Sequence, residues 1–258
     1  MLLGYEQIYH PNYSLIERMY IAIFGMPIVG LRIRARNIFS LIPKCRRYFR
    51  ILDAGSGQGV FTFELGRRFP DAMVTGIDPL GEAITACNSI KEKVKAKNVE
   101  FCEASIEELS EHKVFDLIIC VDIIEHIHDD LAALRGLHHL LTPEGILILH
   151  VPAMYRRYPI WRKKLNFDVE THVRPGFGLD EIQDKAKEAG FLIRKAGYTY
   201  GFWETLANNL SYMITRARMQ NKILYSLFFP ILNAISLFGA RARPKTLGAG
   251  IYVIAGKG

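Results

Sequence analysis

The chain has 258 residues, half of them hydrophobic, so its length suits one α/β domain with insertions and its composition readily builds a buried core. Its four cysteines show no C-x-x-C spacing and no nearby histidine pairing, which fits a reducing cytoplasm. The net charge of +7 is divided unevenly, with +6 over residues 1–50, −5 over 51–199, +5 over 200–248 and +1 from Lys257. Because both basic segments are also unusually apolar, they favour an anionic lipid surface over nucleic acid as a partner.

The first fifty residues carry this mixture of apolar and basic residues. The stretch YIAIFGMPIVG is followed by LRIRARNIFSLI, in which Arg32, Arg34 and Arg36 stand between apolar residues. The opening residues, MLLGYEQIYHP, lack a basic n-region and an uninterrupted apolar run, so no secretion signal is predicted. We therefore expect a cytoplasmic protein.

The segment ILDAGSGQGVFTFEL predicts a strand, a tight loop and a helix. Its glycines let a ligand approach the backbone, and the helix N-terminus offers unpaired N–H groups. Dinucleotide enzymes place glycines at the same point, but here Asp53 precedes them, as D-x-G-x-G-x-G. A carboxylate there would repel a pyrophosphate and attract an ammonium group. The spacing therefore favours a ligand with a positively charged amino end.

Strands and helices then alternate along the chain. The predicted strands and helices, in order, cover residues 50–53, 58–69, 73–78, 80–96, 98–102, 106–110, 115–121, 129–141 and 145–151. A further helix is predicted between Pro175 and Gly190. Such alternation predicts a doubly wound parallel sheet that binds ligands at the carboxyl ends of its strands.

Five motifs occur in the order that is typical of one enzyme family: ILDAGSGQG, VTGIDP, FCEASIEEL, FDLIICVDIIEHIH and LTPEGILILHV. Together they resemble the class I S-adenosylmethionine-dependent methyltransferases, in particular those that act on quinones and small molecules. The resemblance covers about residues 48–198 and the final strand. It implies a mostly parallel, seven-stranded Rossmann-like sheet whose last two strands, Phe191–Thr199 and Ile251–Ala255, are antiparallel.

The resemblance also implies an organisation of the whole chain. Residues 1–47 would form an N-terminal helical cap over the acceptor site, and residues 48–199 would form the core that binds S-adenosylmethionine. Residues 200–248 would be a helical insertion, and residues 249–258 would return as the last strand of the core.

By the same resemblance, Asp78 binds both ribose hydroxyls of the cofactor, which a carboxylate does with two adjacent acceptor oxygens. Asp78 also suits a helix N-cap with Pro79 at the first helical position, and the two roles are compatible. Ser105 stands where many relatives have an aspartate that contacts the adenine amino group. Leu80 and Ile106 pack either against adenine or into the core. The full set of predicted cofactor-binding residues is Asp53, Gly55, Ser56, Gly57, Gly59, Asp78, Pro79, Leu80, Ser105, Ile106 and Cys120.

A cluster of acidic and histidine residues follows the fourth strand: Asp122, Glu125, His126, His128, Asp129 and Asp130. Some methyltransferases bind Mg²⁺ at this place, but Asp129 and Asp130 stand where a helix N-terminus is expected, and acids there cap the helix. We therefore predict no metal site. In similar methyltransferases Asp122 and His126 face the acceptor.

His172, in THVRPGF, is the first candidate for a catalytic base, because similar methyltransferases have a histidine of this loop at the acceptor pocket. Histidine titrates near neutral pH and is suited to take a proton from a hydroxyl group. A loop histidine that is bonded only to backbone is the alternative. His126 is the second candidate.

The insertion contains an uncharged run of eighteen residues, Ile223–Ala240, with basic residues on both sides. Its length permits a membrane span, but one crossing would leave the last strand on the wrong side of the membrane. Pro230 is expected to bend or break the helix, and Asn233 needs a polar partner. A helical hairpin that enters and leaves the membrane, a bent helix in the interface and a dimer interface all remain open.

The sequence thus predicts a methyltransferase that acts on a hydrophobic or amphiphilic acceptor at the membrane surface. A prenylated quinone precursor, a lipid and a lipid-linked glycan are the expected kinds of acceptor, with O-methylation favoured. A soluble methyltransferase of natural products or sugars, with the insertion as a homodimer interface, is the alternative. A cofactor-binding protein without catalysis, recruited to membranes, is a third interpretation.

Overall fold

The computed structural model describes residues 2–106, 108–109, 114–158, 160–166, 172–215, 221–239 and 246–258. The strands are β1 Arg50–Ala54, β2 Met73–Asp78, β3 Val99–Glu103, β4 Phe115–Val121, β5 Leu141–Pro152, β6 Tyr155–Tyr158, β7 Arg162–Leu165, β8 Phe191–Thr199 and β9 Gly250–Lys257. The α-helices are α1 Leu15–Phe24, α2 Val29–Phe39, α3 Val60–Arg68, α4 Gly81–Val94, α5 Asp130–His139, α6 Leu179–Glu188, α7 Phe202–Thr215 and α8 Lys222–Phe238. Two 3₁₀ helices cover Tyr5–Tyr9 and Ile124–His126.

Seven strands form one sheet in the order β3-β2-β1-β4-β5-β9-β8, and β6 pairs with β7 in a separate hairpin. Strands β1 to β5 run parallel, whereas β9 is antiparallel to both of its neighbours. The central strand β4 is apolar and buried without interruption over Leu117–Cys120, as expected for a parallel strand covered on both faces. This architecture confirms the predicted doubly wound, mostly parallel seven-stranded fold.

Helices cover the two faces of the sheet. On one face, Leu134 and Leu137 of α5 pack with Ile182 of α6 in one apolar cluster. On the other face, α3 and α4 pack together with Ile38 and Phe39 of α2 in a second cluster. The N-terminal helix α2 is therefore part of the core packing of this face.

The carboxyl ends of the parallel strands bring polar residues to one edge of the sheet. Asp53 lies near the end of β1, Asp78 ends β2 and Asp122 directly follows β4. A doubly wound sheet binds its ligands at this edge, next to the point where the strand order reverses between β1 and β4.

Helices α7 and α8 lie between β8 and β9 in the sequence and pack on α2. Phe229 and Leu232 of α8 form an apolar cluster with Val29 and Ile33 of α2. None of the helices that the structure describes is long and apolar enough to cross a membrane.

Helix α8 continues through Pro230, so the break that the sequence allowed does not occur. A proline in a helix leaves the carbonyl four residues earlier without its N–H donor, which here is the carbonyl of Ser226. The hydroxyl of Tyr20, on α1, donates to that carbonyl at 2.6 Å. A side chain from another helix thus replaces the missing hydrogen bond and fastens α1 to α8.

The short helix predicted over 106–110 differs from the structure. Residues 106, 108 and 109 lie in a turn or bend, while 107 and 110 fall outside the described residues.

Candidate active site

The glycine loop between β1 and α3 adopts a conformation that requires glycine. Gly55 and Gly57 have φ angles of 80° and 49°. A Cβ at Gly55 would overlap Ile123, whereas a Cβ at Gly57 would meet no atom of the described residues within 4 Å. The loop is therefore packed tightly on one side and open on the side where a ligand would approach. Ser56 is buried there, and its hydroxyl has no hydrogen-bond partner among the described residues.

Asp78 organises this loop from the end of β2. Its Oδ2 accepts the N–H of Gly57 at 2.9 Å, and its Oδ1 accepts the N–H of Leu80 at 3.0 Å. Helix α4 begins at Gly81 with Leu80 as its N-cap residue, so Asp78 is not the helix cap that the sequence also allowed. Each carboxylate oxygen keeps a further lone pair for an added ligand.

Asp53 is buried beneath the loop, where its Oδ2 accepts the hydroxyl of Thr62 at 2.6 Å. Burial raises the pKa of Asp53 to about 7, and nearby Asp78 adds to this, whereas the Thr62 hydrogen bonds oppose it. A ligand ammonium in this place would stabilise the ionised carboxylate.

A cavity of about 210 Å³ opens over these residues, here called the loop cavity. Its lining is Ile28, Leu31, Arg34, Asp53, Gly55, Ser56, Gly57, Gln58, Val60, Phe61 and Val121. Three features fit S-adenosylmethionine: the open space at Gly57, the buried acid Asp53 and the apolar side chain of Leu80, which is 66% exposed beside Asp78. An adenine ring laid on Leu80 would cover it.

The other predicted cofactor residues lie in different environments. Pro79 is exposed, and the N–H of Ser105 donates to Glu108 Oε2 at 2.8 Å. Ile106 and Cys120 are buried in the apolar cluster shared with α5, and burial raises the pKa of the Cys120 thiol well above its usual range. Their surroundings favour core packing for both residues. Gly59, the last of the predicted loop glycines, is the N-cap residue of α3.

A second cavity, of about 280 Å³, lies beside the first and is here called the polar cavity. Its lining is Arg34, Asp122, Glu125, His126, His150, Pro152, Arg156, Asn166, His172, Tyr200, Asn208, Tyr212 and Ala249. Arg34 lines both cavities. The two cavities therefore share this side chain as part of their walls.

Asp122 is the centre of a charged network between the cavities. It has a φ angle of 54°, and its carboxylate contacts Nδ1 of His150 at 2.6 Å and Nη1 of Arg34 at 3.1 Å. Nε2 of His150 in turn contacts the hydroxyl of Thr199 at 2.9 Å. Burial alone would raise the pKa of Asp122, but Arg34 and His150 outweigh it and lower the pKa to about 2. The carboxylate of Asp122 is therefore negatively charged at neutral pH, in the wall of the polar cavity.

The two candidate bases lie together at the polar cavity. The rings of His126 and His172 are 4.5 Å apart between centroids, at 86°. Nε2 of His172 lies 3.9 Å from Oε1 of Glu125, and the N–H of Val173 donates to the Glu125 carbonyl at 3.0 Å. This backbone bond brings the loop of His172 to the short helix of His126. Glu125 is 0% exposed, and burial followed by the charge of Asp122 raises its pKa well above the usual range.

The acidic and histidine residues that follow β4 have different partners in the folded chain. Asp129 caps α5 by accepting the N–H of Ala132 at 2.9 Å, as predicted. Asp130 is paired with Lys185 at 2.8 Å and Arg174 at 2.9 Å. Glu125 and His126 remain at the cavity and are joined there by His172, which sequence spacing alone does not associate with them.

The arginines of the N-terminal segment also differ in role. Arg32 donates to the backbone carbonyl of Met26 and lies over the ring of Phe229. Arg36 contacts Glu204 and Ser236. Together with Arg34, they have partners inside the molecule, so the charge of this segment cannot all be assigned to an outer surface.

The chain is similar in sequence to known methyltransferases. A family model described as a methyltransferase domain matches residues 47–202. The chain is 32% identical over 98 residues to the ubiquinone biosynthesis O-methyltransferase of Pseudomonas syringae pv. tomato, covering 37% of this chain and 41% of that protein. It is 33% identical over 119 residues to the trans-aconitate 2-methyltransferase of Deinococcus radiodurans, covering 46% and 43%. The chain thus spans less than half the length of these curated relatives.

Among solved structures, the chain resembles an O-methyltransferase from a trans-AT polyketide synthase of Brevibacillus brevis in complex with S-adenosyl-L-homocysteine. The TM-score is 0.61 at 14% identity, covering 96% of this chain and 80% of that one. At this identity the likeness concerns the fold.

Proposed function

The chain belongs to the family of S-adenosylmethionine-dependent methyltransferases, and on this premise we propose that it methylates a hydroxyl group on the polar head of an amphiphilic molecule at a membrane surface. A prenylated quinone precursor, a lipid and a lipid-linked glycan each combine such a head with an apolar tail. The observation that carries the proposal is a polar cavity next to the cofactor loop in a protein whose helices α1 and α8 expose a large apolar surface.

The cofactor, S-adenosylmethionine, supplies a methyl group that is activated by a positively charged sulfur. Asp78 would hold the ribose hydroxyls, and Asp53 would face the ammonium group from beneath the loop. Leu80 would lie against the adenine ring. These residues would hold the cofactor, whereas the residues that act on the acceptor line the polar cavity.

The residues of the polar cavity orient the acceptor and remove its proton. The bound cofactor would supply its methyl group to a lone pair of the acceptor oxygen, with the electron pair of the S–CH₃ bond left on sulfur. His172 takes the hydroxyl proton, and His126, whose ring is 4.5 Å away, is the second candidate. Alignment of acceptor and methyl group supplies most of the remaining acceleration.

The apolar surface of the protein supports an amphiphilic acceptor. The side chains that α1 and α8 leave exposed are Leu15, Ile16, Met19, Ile23, Ile223, Leu224, Leu227, Phe228, Ile231, Leu237 and Phe238. Monomers in water rarely expose so large an apolar patch. The hydrogen bond from Tyr20 to Ser226 joins the two helices, and their exposed apolar residues are here called the α1–α8 patch.

Exposed basic residues lie at the start of α8 and on the β6–β7 hairpin. Lys222 is exposed at the start of α8, and Arg162, Lys163 and Lys164 are exposed on the β6–β7 hairpin, whose Arg156 lines the polar cavity. Each basic residue close to an anionic lipid surface adds about 1 kcal/mol of binding. Exposed positive charge on a protein that also exposes a large apolar surface favours a peripheral position on an anionic membrane.

Binding to vesicles tests the location. The full chain should sediment with anionic vesicles more than with neutral ones, and less at high salt. Replacing Ile16 and Leu227 by aspartate should abolish sedimentation while S-adenosylmethionine affinity is kept. Leu192→Asp, an exposed leucine at the start of β8, is the matched control and should still sediment.

The reaction is tested with labelled S-adenosylmethionine and lipid extracts of cells that lack the protein. Label should enter one lipid species, the methylated form of an acceptor that accumulates in cells lacking the protein. If the protein ignores vesicles, forms a dimer through the α1–α8 patch and methylates only water-soluble acceptors, the membrane proposal is wrong and a soluble methyltransferase of sugars or natural products replaces it.

A further inference from the structure

Glu125, His126 and His172 form a cluster that the cofactor site does not explain. One ligand atom from each side chain lies within 4.8 Å of the other two. Glu125 is fully buried, and neither of its carboxylate oxygens has a hydrogen-bond partner among the described residues. A buried carboxyl group without a partner costs stability, so its retention in this place points to a ligand.

The kinds of donor in the cluster select the kind of ligand. Two imidazoles and one carboxylate form a common protein site for Zn²⁺ and neighbouring divalent transition metals, with ligand bonds of about 2.0–2.2 Å. Mg²⁺ and Ca²⁺ prefer oxygen donors only. Ligand atoms around one such ion are roughly 3–4 Å apart, by the tetrahedral and octahedral geometry of bonds of that length. A small movement of the side chains therefore suffices to close the site.

Nearby carboxylates do not compete for the same ion. Both oxygens of Asp122 are already used, one by His150 and the other by Arg34. Asp129 caps α5, and Asp130 is paired with Lys185 and Arg174. Among the described residues of this acidic stretch, Glu125 is thus the carboxylate that remains available at the cavity.

We propose that Glu125, His126 and His172 bind one divalent transition-metal ion of the Zn²⁺ type at the wall of the polar cavity. Three protein ligands leave coordination positions toward the cavity, where an oxygen of the acceptor can bind. This role toward the acceptor rests on the proposed function and concerns the same site. An ion there would lower the pKa of a bound hydroxyl, so direct proton removal by His172 and metal binding by His172 are alternatives.

The test measures the metal itself. The full chain is stripped with a chelator and dialysed against Zn²⁺, and bound metal is counted by elemental mass spectrometry. Replacing Zn²⁺ by Co²⁺ adds a visible absorption spectrum that reports the ligands. We expect one ion per chain and a spectrum that disappears when excess Zn²⁺ is added.

Substitutions of single residues test which side chains bind the ion. His126→Ala and Glu125→Gln should each weaken Zn²⁺ binding by roughly 100-fold or more, since removing even a residue that only supports a ligand costs about 10–100-fold. His128→Ala is the matched control, an exposed histidine two residues from His126, and should bind Zn²⁺ normally. Unchanged S-adenosylmethionine affinity shows that each variant is folded.

Two results would overturn the metal site: no stoichiometric Zn²⁺ on the wild-type chain, or equal loss in His128→Ala and His126→Ala. Methyl transfer by a metal-free protein would then leave His172 as the direct base, and the proposed function would stand. If Zn²⁺ binds as expected but no lipid extract yields a labelled product, the metal site stands and the proposed acceptor class is wrong.

Discussion

Replacing Arg34 by methionine removes the cation that pairs with Asp122 and keeps most of the apolar stem. The pKa of Asp122 is about 2 in the folded protein, against an ordinary value of 3.8. Since one pKa unit corresponds to about 1.4 kcal/mol, this difference is worth about 2 kcal/mol of folding stability, to which Arg34 and His150 both contribute. Arg34 and Asp122 keep 26% and 23% of their side-chain surface exposed, so solvent screens part of it. We expect Arg34→Met to lower the free energy of unfolding by about 1–2 kcal/mol at pH 7.

The pH dependence follows from the direction of the pKa change. Because the folded pKa of Asp122 lies below the unfolded one, its stabilisation is present above about pH 4 and is lost as the pH falls toward 2. The difference between wild type and Arg34→Met should therefore be largest near neutral pH and shrink below pH 4. Urea unfolding of both proteins across this range measures it.

Arg47→Met is the matched control. Arg47 lies 3.9 Å from Asp71, but these side chains are 70% and 75% exposed, so the change should stay within about 0.5 kcal/mol. If Arg34→Met is no more destabilising than Arg47→Met, or if its effect does not change between pH 7 and pH 3, the charged network around Asp122 does not stabilise the fold as argued.

Three further changes test the cofactor and acceptor sites. Asp78→Ala should weaken S-adenosylmethionine binding by roughly 1–3 kcal/mol in calorimetry, because charge-assisted bonds to the ribose are lost; unchanged affinity in a folded variant would remove Asp78 from the site. Gly57→Val should abolish binding by filling the open space, at a strain of about 1–2 kcal/mol in thermal unfolding; normal binding would contradict this. His172→Ala should lower turnover by roughly 10²–10⁴-fold at similar cofactor affinity, with His128→Ala as control. A loss below about threefold would leave His172 a structural loop residue.

The parts of the fold that depend on local sequence could be predicted. Strands β8 and β4 have the predicted bounds, Phe191–Thr199 and Phe115–Val121. The positively charged hairpin β6–β7 was not predicted, since a short strand pair of arginines and lysines lacks the alternating apolar pattern of a half-buried strand. Pro230 illustrates the limit of a local rule, because the donor that replaces its missing N–H comes from Tyr20 on a distant helix.

The candidate site likewise has one part that local sequence predicts and another part that only the folded structure shows. The cofactor loop was readable because its glycines and Asp53 lie within a few residues of one another, and Asp78 follows on the adjacent strand. The pairing of Arg34 with Asp122 joins residues far apart in the chain, and nothing in either local sequence marks it. Glu125 and His172 meet through a backbone bond to Val173, which only the folded chain creates.

The position of Arg34 between the loop cavity and the polar cavity has a consequence for ligand binding. A side chain that forms part of two walls cannot adjust to a ligand in one cavity without changing the shape and the charge of the other. Cofactor and acceptor should therefore bind with a coupling free energy, and thermodynamic linkage requires that each changes the affinity of the other by the same factor. Helix α2, which carries Arg34, would then transmit the effect: a ligand bound in one cavity would change the affinity of the other cavity for its own ligand.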